Sequence, residues 1–367
     1  SAASDVYKRQ TQSSTVFTSN GSRLWGNIIM NRVPILDKFQ RPFRDLRVSV
    51  TDRCNFRCPY CMPAEIYGER YQFLPRNDLL TFEEITRIVN ITVSLGVKKV
   101  RITGGEPLVR QDVEKLVSMI SRINGVEDLA MTTNAYLLSG IAQTLKDAGL
   151  HRITVSMDSV DDDVFQRMNG RGFGTAKVMN GIDSAKRAGF NPIKINAVVQ
   201  KGINDHTLVD LAKWCRDNGH IPRFIEYMDV GTLNEWKLDE VLPADEIVRI
   251  IGEELPVEQL NPAYVGEVAR RYRYLDDKGE FGVISSVTQP FCGDCTRLRL
   301  SPEGRLVTCL FAEAGTDLRE PMRNGATDEQ VSDIIQGTWS VREDRYSEER
   351  TTMNEPRGKV EMYHIGG

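Results

Sequence analysis

The chain has 367 residues, 40% of them hydrophobic and 27% charged, so it is too long for one simple core and too apolar for a disordered protein. Its 47 lysines and arginines nearly balance its 51 aspartates and glutamates, which leaves a formal net charge of −4. This balance argues against nucleic acid or an anionic membrane as a partner, and an anionic ligand would need a local cluster of arginines. Without an apolar run of spanning length or a signal segment, we expect a cytoplasmic protein of roughly two domains.

Residues 1–40 are rich in serine and threonine and show little hydrophobic periodicity. We predict a flexible N-terminal tail whose first ten residues are foreign to the fold. A mitochondrial transit remnant is the alternative, because Arg9, Arg23 and Arg32 lie among hydroxyl residues with few acids. No amphipathic period supports that alternative.

Residues 41–260 repeat one unit, in which a helix ends at a glycine and a β-rich strand follows. The helix-ending glycines are Gly96, Gly149, Gly189 and Gly219, and the strands lie near Leu46, Val100, Leu129, Val155, Ile195 and Phe224. Thr81 with Glu84 predicts a capping box, and Ser139 predicts a further helix start. About six βα units are too few for a closed eight-stranded barrel, so we predict a partial (β/α)6 TIM-like barrel of the α/β class.

Polar side chains interrupt these strands, at Arg47, Arg101, Thr132, Ser156, Lys194, Arg223 and Glu226. Because an unpaired buried charge is costly, we expect these residues to face a ligand-filled lumen near the carboxyl ends of the strands. For any one of them alone, an edge or surface position is the usual explanation.

Residues 261–367 lose the βα pattern and become short strands punctuated by proline and glycine. We predict an α+β extension and not more barrel, with a hairpin that turns at residues 301–304.

Six of the seven cysteines fall in two groups, and four scattered histidines offer no helical metal pair. The first group is Cys54, Cys58 and Cys61, and the second is Cys292, Cys295 and Cys309. Such clustering favours thiolate ligands over disulfides, for either zinc or an iron–sulfur cluster. Because neither group has a fourth Cys or His nearby, we favour in each a four-iron cluster with one open iron, and a zinc knuckle remains the alternative for the second group.

The segment Cys54-Asn55-Phe56-Arg57-Cys58-Pro59-Tyr60-Cys61 resembles the CxxxCxxC loop of the radical S-adenosylmethionine enzymes, and residues 104–107 resemble their GGEP motif. The resemblance implies a [4Fe-4S] cluster on the first cysteine group. Its open iron would bind S-adenosylmethionine, with further contacts at Tyr60, Gly105, Ser156 and Met228.

Together with residues 44–54, 132–134 and 223–228 and the second cysteine group, these motifs resemble the GTP 3′,8-cyclase family from about residue 41 to the end. The resemblance implies the first step of molybdenum cofactor biosynthesis, in which a 5′-deoxyadenosyl radical takes the 3′ hydrogen of GTP and 3′,8-cyclo-7,8-dihydro-GTP forms. It also implies a second [4Fe-4S] cluster that coordinates guanine, and GTP contacts at Arg47, Arg101, Thr132, Lys194, Arg223, Arg297 and Arg299. Arg47 and the terminal Gly366 and Gly367 would act in the chemistry itself.

The expected partners are GTP, a flavodoxin-like or equivalent electron donor and a downstream cyclic pyranopterin monophosphate synthase, and a homodimer is left open. One departure from the family pattern is Ala135, which stands where a glycine usually follows Thr-Thr-Asn. A radical enzyme that modifies peptides is a rival interpretation. The C-terminal extensions of that class typically carry about seven cysteines, whereas this extension has three. A zinc-stabilised binding module is the rival that is not an enzyme.

Overall fold

The computed structural model describes residues 34–264, 266–350 and 358–367. Most of the predicted tail, residues 1–33, lies outside the described residues. Residues 34–40 were assigned to that tail, but here they are held in place: Leu36 forms an isolated antiparallel bridge with Pro42, and Asp37 is buried. Residues 34–40 therefore pack with the fold, on the far side of the predicted boundary at residue 41.

The central feature is a mixed sheet of twelve strands within the described residues. The strands are β1 Asp45–Ser49, β2 Lys99–Thr103, β3 Asp128–Thr133, β4 Arg152–Ser156, β5 Lys194–Val199, β6 Ile221–Glu226, β7 Val257–Leu260, β8 Arg270–Tyr274, β9 Glu280–Ile284, β10 Arg297–Leu300, β11 Arg305–Val307 and β12 Thr316–Asp317. Strands β1 to β6 pair in sequence order and all in parallel, which confirms the six predicted βα units.

Helices follow the strands and cover the sheet. They are α1 Phe82–Ser94, α2 Val113–Ser121, α3 Ala142–Asp147, α4 Asp162–Asn169, α5 Ala176–Arg187, α6 Leu208–Asn218, α7 Ala244–Glu254, α8 Arg319–Arg323, α9 Asp328–Ser340, α10 Tyr346–Glu349 and α11 Met362–Ile365. The apolar side chains of strands and helices form one main core in which Leu46, Val100 and Ile195 are fully buried or nearly so. None of the described helices is long and apolar enough to cross a bilayer.

Local signals explain where several helices begin and end. Thr81 and Glu84 form the predicted capping box at the start of α1, and Gly219 ends α6 in the left-handed conformation, which glycine adopts without steric cost. The predicted helix start at Ser139 is wrong. Residues 138–140 form a 3-10 turn in which Leu138 packs into the core, and α3 begins at Ala142.

The extension continues the barrel sheet at both edges, which corrects the expectation that it adds no more barrel. Strand β9 pairs in parallel with β6, and β10 pairs in parallel with β1. The outer strands β7, β8, β11 and β12 then add in antiparallel fashion. A domain boundary near residue 260 would cut this sheet between the paired strands β7 and β8. The added strands pair with the two edges that a six-stranded open barrel would leave exposed.

Candidate functional site

Two adjoining cavities lie inside the sheet, with volumes of about 150 and 190 Å³. The first cysteine group borders one of them, which we call the first cavity, together with Tyr60, Gly105 and Ser156. The second cysteine group borders the other, which we call the second cavity. The two cavities share wall residues, namely Thr132, Asn196, Ile225, Met228, Leu310 and Gly367. The two cavities therefore lie next to each other.

The loop after β1 carries the first cysteine group and is tied together by its own backbone. The carbonyl of Cys58 accepts hydrogen bonds from the amides of Cys61 at 2.9 Å and Met62 at 2.8 Å. The guanidinium of Arg57 donates to the carbonyl oxygens of Cys54 at 2.7 Å and Tyr67 at 2.6 Å. These bonds satisfy carbonyls that an irregular loop cannot pair in a sheet.

The thiols of this first group lie in a poorly solvated and acidic environment. Burial and the nearby Glu106 carboxylate raise the pKa of Cys54 to about 12. Burial and Asp158 likewise raise the pKa of Cys58 well above its usual value. A metal that binds here must displace the thiol protons, as thiolate ligands require.

Gly105 and Glu106 of the GGEP segment shape the wall beside these cysteines. The amide of Gly105 donates to the Thr51 carbonyl at 2.7 Å, and a Cβ at Gly105 would collide with the Arg53 carbonyl. Glu106 is buried, and its carboxylate accepts from the Thr133 hydroxyl and the Asn134 amide at 2.7 Å each. Burial raises the pKa of Glu106 to about 7, against the effect of these hydrogen bonds.

Tyr60 is oriented by a carboxylate that sequence reasoning missed. Its hydroxyl donates to Asp158 at 2.8 Å, and the other carboxylate oxygen accepts from the Val198 amide at 2.9 Å. Ser156 and Met228, at and after the ends of their strands, complete this side of the first cavity.

The second cysteine group comes from a 3-10 turn at residues 292–294 and from the loop after β11. Arg297 donates from Nε to the Cys295 sulfur at 3.3 Å. Burial alone would raise the pKa of Cys295, but the charges of Arg297 and Arg342 outweigh it and lower that pKa to about 6. The thiolate form is therefore favoured at this position.

Strand register places three arginines side by side. Arg299 on β10 is the partner of Arg47 on β1, which is the partner of Arg101 on β2. Neighbouring strands lie about 4.8 Å apart, so the three guanidinium groups repel one another. Burial and these neighbours lower the pKa of Arg47 well below its usual value, and burial is the main cause that lowers the pKa of Arg299 to about 10.

The predicted GTP residues do not all line one cavity. Arg47, Arg101, Thr132, Arg223, Arg297 and Arg299 line the second cavity. Lys194 lines an adjoining basic cavity instead, with Lys99 and Arg152, which the sequence analysis did not single out. Burial and the charges of Arg223 and Arg152 lower the pKa of Lys194 to about 7. Such an excess of buried cations is suited to a polyanionic ligand.

Glu226 is not part of this lumen, contrary to the expectation for polar residues on the strands. It is fully buried, and its carboxylate accepts from the amides of Ala244 and Val287 at 2.8 Å each. Glu226 thus fixes the start of α7 and the loop after β9.

The arrangement of the cysteines tests which metal group would fit. Each group borders one cavity, yet no three Cys, His, Asp or Glu side chains in the described ranges converge on a single ion. Structural zinc needs ligands converging at about 2.3 Å, whereas an iron–sulfur cluster takes each thiolate on a different iron. Three thiolates that border one cavity are a donor set that fits an iron–sulfur cluster, in which each thiolate binds a different iron.

The C-terminal residues reach the shared wall of the two cavities. Gly367 lines both, and the Gly366 carbonyl accepts a hydrogen bond from Arg299. Gly366 is buried with φ of +71°, and a Cβ there would collide with the Thr103 side chain. His364 Nε2 lies 2.7 Å from Glu303 Oε2, which connects α11 to the turn between β10 and β11.

Comparison with known proteins assigns the family. Residues 48–215 match the family model described as the radical SAM superfamily, and residues 221–348 match the model described as Molybdenum Cofactor Synthesis C. A GTP 3′,8-cyclase of Acidothermus cellulolyticus is 54% identical over 86% of this chain and 89% of its own length. The chain belongs to the GTP 3′,8-cyclase family.

Other relatives agree with this assignment. A GTP 3′,8-cyclase of Staphylococcus saprophyticus is 48% identical over 91% of this chain and 99% of its own length. Among solved structures, Streptococcus suis SuiB bound to S-adenosylmethionine is 20% identical, with a TM-score of 0.46, over 59% of this chain and 48% of its own. That structure is too distant to add to the assignment. The radical SAM match implies a [4Fe-4S] cluster and S-adenosylmethionine as cofactors.

Proposed function

We propose that this chain is a GTP 3′,8-cyclase, which converts GTP to 3′,8-cyclo-7,8-dihydro-GTP in the first step of molybdenum cofactor biosynthesis. One observation carries the proposal: a cavity bordered by the radical SAM cysteines shares its wall with a cavity lined by arginines and a second cysteine group. A radical generated on one side would meet a nucleotide held on the other.

The first cavity is assigned to S-adenosylmethionine. Cys54, Cys58 and Cys61 would hold a [4Fe-4S] cluster, which when bound supplies the electron that cleaves S-adenosylmethionine to methionine and a 5′-deoxyadenosyl radical able to take the 3′ hydrogen of GTP. Gly105 lines this cavity and its backbone packs too closely against Arg53 for any side chain, so that backbone would contact the methionine end. Tyr60, fixed by Asp158, and Ser156 and Met228 would position the nucleoside end.

The second cavity is assigned to GTP. The row of Arg299, Arg47 and Arg101, with Arg223 and Lys194 close by, would bind the triphosphate, because charge-assisted bonds to phosphate relieve the repulsion between these buried cations. Thr132 accepts a hydrogen bond from Arg101 at 2.9 Å and so orients that guanidinium.

A second [4Fe-4S] cluster on Cys292, Cys295 and Cys309 would meet the guanine end, with Arg297 beside it. Holding GTP at both ends fixes the sugar between them, which is catalysis by positioning. Arg47, at the centre of the row, and the Gly366–Gly367 backbone at the shared wall are the chain's own candidates for a role in the chemistry.

The wider assignments extend the same proposal. The catalytic barrel would comprise residues 41–260 and the auxiliary-cluster region residues 261–367, although their strands share one sheet. A flavodoxin-like reductant would deliver electrons, and a cyclic pyranopterin monophosphate synthase would consume the product. We place the enzyme in the cytoplasm and leave a homodimer open.

Two anaerobic measurements test the proposal. Incubation with GTP, S-adenosylmethionine and dithionite should yield 5′-deoxyadenosine together with a cyclised nucleotide. Metal analysis of the same preparation should give about eight irons per chain, as two three-cysteine clusters require. One zinc per site would instead support a zinc-stabilised binding module, and 5′-deoxyadenosine formed only with a peptide substrate would support the peptide-modifying class.

A further inference from the structure

A buried ionic cluster lies behind the second cysteine group. It consists of Asp37 and Arg41 from the N-terminal segment and Arg342 from the chain after α9. The three side chains are between 0% and 2% exposed. Neither the family motifs nor the proposed ligand contacts include any of them, although Arg342 also borders the second cavity.

Asp37 joins the two arginines. Its Oδ2 accepts from Arg41 Nε at 2.6 Å and from Arg342 Nη1 at 3.1 Å. Its Oδ1 accepts from the backbone amides of Phe39 and Arg41 at 2.9 Å each. Both carboxylate oxygens are therefore fully used, and they fix the orientation of both guanidinium planes.

Other guanidinium donors of Arg41 and Arg342 reach the backbone at or beside the three cysteines. Arg41 Nη1 donates to the carbonyl of Cys292 at 2.7 Å. Arg342 Nη1 donates to the carbonyl of Cys295 at 2.8 Å, and its Nε donates to that of Thr308, which directly precedes Cys309, at 3.2 Å. One cluster thus bonds at or beside each cysteine of the group.

Stability alone does not explain this arrangement. Buried ion pairs are commonly no more stabilising than apolar residues of the same volume. What the arginines provide, and apolar side chains could not, is donors for the carbonyls of Cys295 and Thr308, which lie outside strands and helices. They also give a second donor to the Cys292 carbonyl, which accepts from the Cys295 amide at 3.2 Å as well. Trp339 holds the cluster in turn, since its indole donates to the Arg41 carbonyl at 3.1 Å and its ring lies under Arg342.

We propose that Asp37, Arg41 and Arg342 are positioning residues that fix the backbone of Cys292, Cys295 and Cys309 so that the three thiolates bind one iron–sulfur cluster. This inference rests on the proposed function, which assigns a cluster to this group. It makes the segment from Asp37 to Arg41 part of a site that lies 251 residues away along the chain.

The test compares buried and exposed members of the same two segments. Asp37→Asn and Arg342→Met remove the buried pairing. The control variants are Lys38→Met and Glu343→Gln, which break an ion pair of 2.6 Å between the neighbouring residues that is 52% and 69% exposed. All are made in the full chain and also in a Cys58→Ser background, so that electron paramagnetic resonance there reports the second cluster without a complete first one.

In the otherwise unmodified chain, Arg342→Met should lower the iron content from about eight toward about four per chain while reductive cleavage of S-adenosylmethionine continues. In the Cys58→Ser background, Asp37→Asn should retain the second cluster but change its spectrum and midpoint potential. Arg342→Lys, which keeps the charge but has no planar fork, should hold iron at a level between Arg342→Met and the unmodified chain. The two control variants should match the unmodified chain.

Two outcomes would overturn the inference. Full iron content with an unchanged spectrum and potential in both Asp37→Asn and Arg342→Met would show that the cluster does not depend on these residues. Equal losses in the exposed controls, or loss of iron from both groups in Asp37→Asn, would make the effect one of general folding. An unmodified chain with only about four irons would instead remove the second cluster from the proposed function itself.

Discussion

The two cysteine groups differ in the charge that surrounds them. The first group lies beside the carboxylates of Glu106 and Asp158, and burial with these acids raises the pKa of its thiols. The second group lies beside Arg297 and Arg342, whose charges lower the pKa of Cys295 to about 6, while burial and Asp344 raise the pKa of Cys309 to about 11. An acidic environment favours a sulfonium cation, and a basic one favours a polyphosphate. The charges therefore agree with S-adenosylmethionine in the first cavity and GTP in the second.

They also differ in how the chain assembles them. The first group lies within one eight-residue segment and is braced mainly by that segment's own Arg57. The second requires three stretches of chain that are far apart in sequence and meet at Asp37, Cys295 and Arg342. A local site can be formed by a short motif, whereas the assembled site depends on the whole fold.

The largest expected effects come from serine substitutions in the two cysteine groups, which should impair different activities. Cys58→Ser should abolish cleavage of S-adenosylmethionine, because it removes a ligand of the first cluster. Cys295→Ser should leave some uncoupled cleavage but no cyclised nucleotide, because only the substrate side is damaged. Anaerobic assays for 5′-deoxyadenosine and for the cyclised product measure the two activities side by side.

Cys215→Ser is the matched control for this pair, since Cys215 is buried in the core away from both cavities. It should retain both activities. If Cys58→Ser and Cys295→Ser lost both activities equally, the proposed division of work between the groups would be refuted.

A second prediction concerns the last two residues, which join the two regions. Deletion of Gly366 and Gly367, or a tag added after Gly367, should retain both clusters and GTP binding but suppress the cyclised product. Gly366→Ala should act in the same direction, because its Cβ would collide with Thr103. The measurements are iron content, calorimetric GTP affinity and product yield.

A variant of the neighbouring His364 provides a comparison for the deletion of the two C-terminal glycines. His364→Gln removes the imidazole that lies 2.7 Å from the Glu303 carboxylate but leaves the glycines in place, so its loss of product should be smaller. Turnover of the tagged protein at the untagged rate would show that the tail is only a chain end.

Variants of Arg297 and Lys194 should distinguish an effect on GTP binding from an effect on the second iron–sulfur cluster. Replacing either residue with methionine should weaken GTP binding by about 1.5–3 kcal/mol, the value of a hydrogen bond to a charged group. Only Arg297→Met should also change the spectrum of the second cluster, because Arg297 bonds to the Cys295 sulfur. Calorimetry with unchanged GTP affinity in both variants would place the triphosphate elsewhere.

Lys194 also gives this region a pH dependence. Its pKa is lowered to about 7 by burial and by Arg223 and Arg152, so it is partly neutral near pH 7. A bound triphosphate would favour the protonated form, and GTP affinity should therefore fall as the pH rises from 6 to 8. The difference in that slope between the unmodified chain and Lys194→Met measures the contribution of Lys194, and equal slopes would exclude it.

The sequence predicted the local features well and the non-local ones poorly. The six parallel strands and the capping box at Thr81 follow from short-range patterns, and the structure confirms them. The pairing of β10 with β1 joins residues some 250 positions apart, and no local pattern shows it. That pairing also places Arg299 next to Arg47. From the sequence, these arginines could be proposed as ligands of one anion, but their order in a row could not be predicted.

Two misjudged residues have the same origin. Glu226 was expected in the lumen because it is polar and on a strand, but its carboxylate pairs with the amide of Ala244, which becomes near only when α7 folds back. Asp37 was assigned to a tail, although the partner that holds it in place, Arg342, lies 305 residues further along the chain. The identity of a buried charge can be read from a sequence, but its partner cannot.

The smallest expected effect concerns Ala135, which lies near the first cysteine group. It follows Asn134, whose amide bonds to Asn55 at 2.8 Å beside Cys54. Ala135 is fully buried with φ of +60°, in the left-handed region where a glycine is usual. Ala135→Gly would relieve about 1–2 kcal/mol of backbone strain but lose about 0.8 kcal/mol of methyl burial and about 0.5–1 kcal/mol through the greater freedom of the unfolded chain.

These terms nearly cancel, so Ala135→Gly should change the free energy of unfolding by less than about 1 kcal/mol in either direction. Iron content and S-adenosylmethionine cleavage should not change, because the backbone already has the conformation that glycine would adopt. Ala135→Val is the contrasting variant, since a β-branched side chain at positive φ is strained and this buried site has no space for it, and it should lower the melting temperature clearly. A large stabilisation by Ala135→Gly, measured by thermal unfolding, would show that the methyl group contributes no packing and that this loop is under greater strain than its geometry indicates.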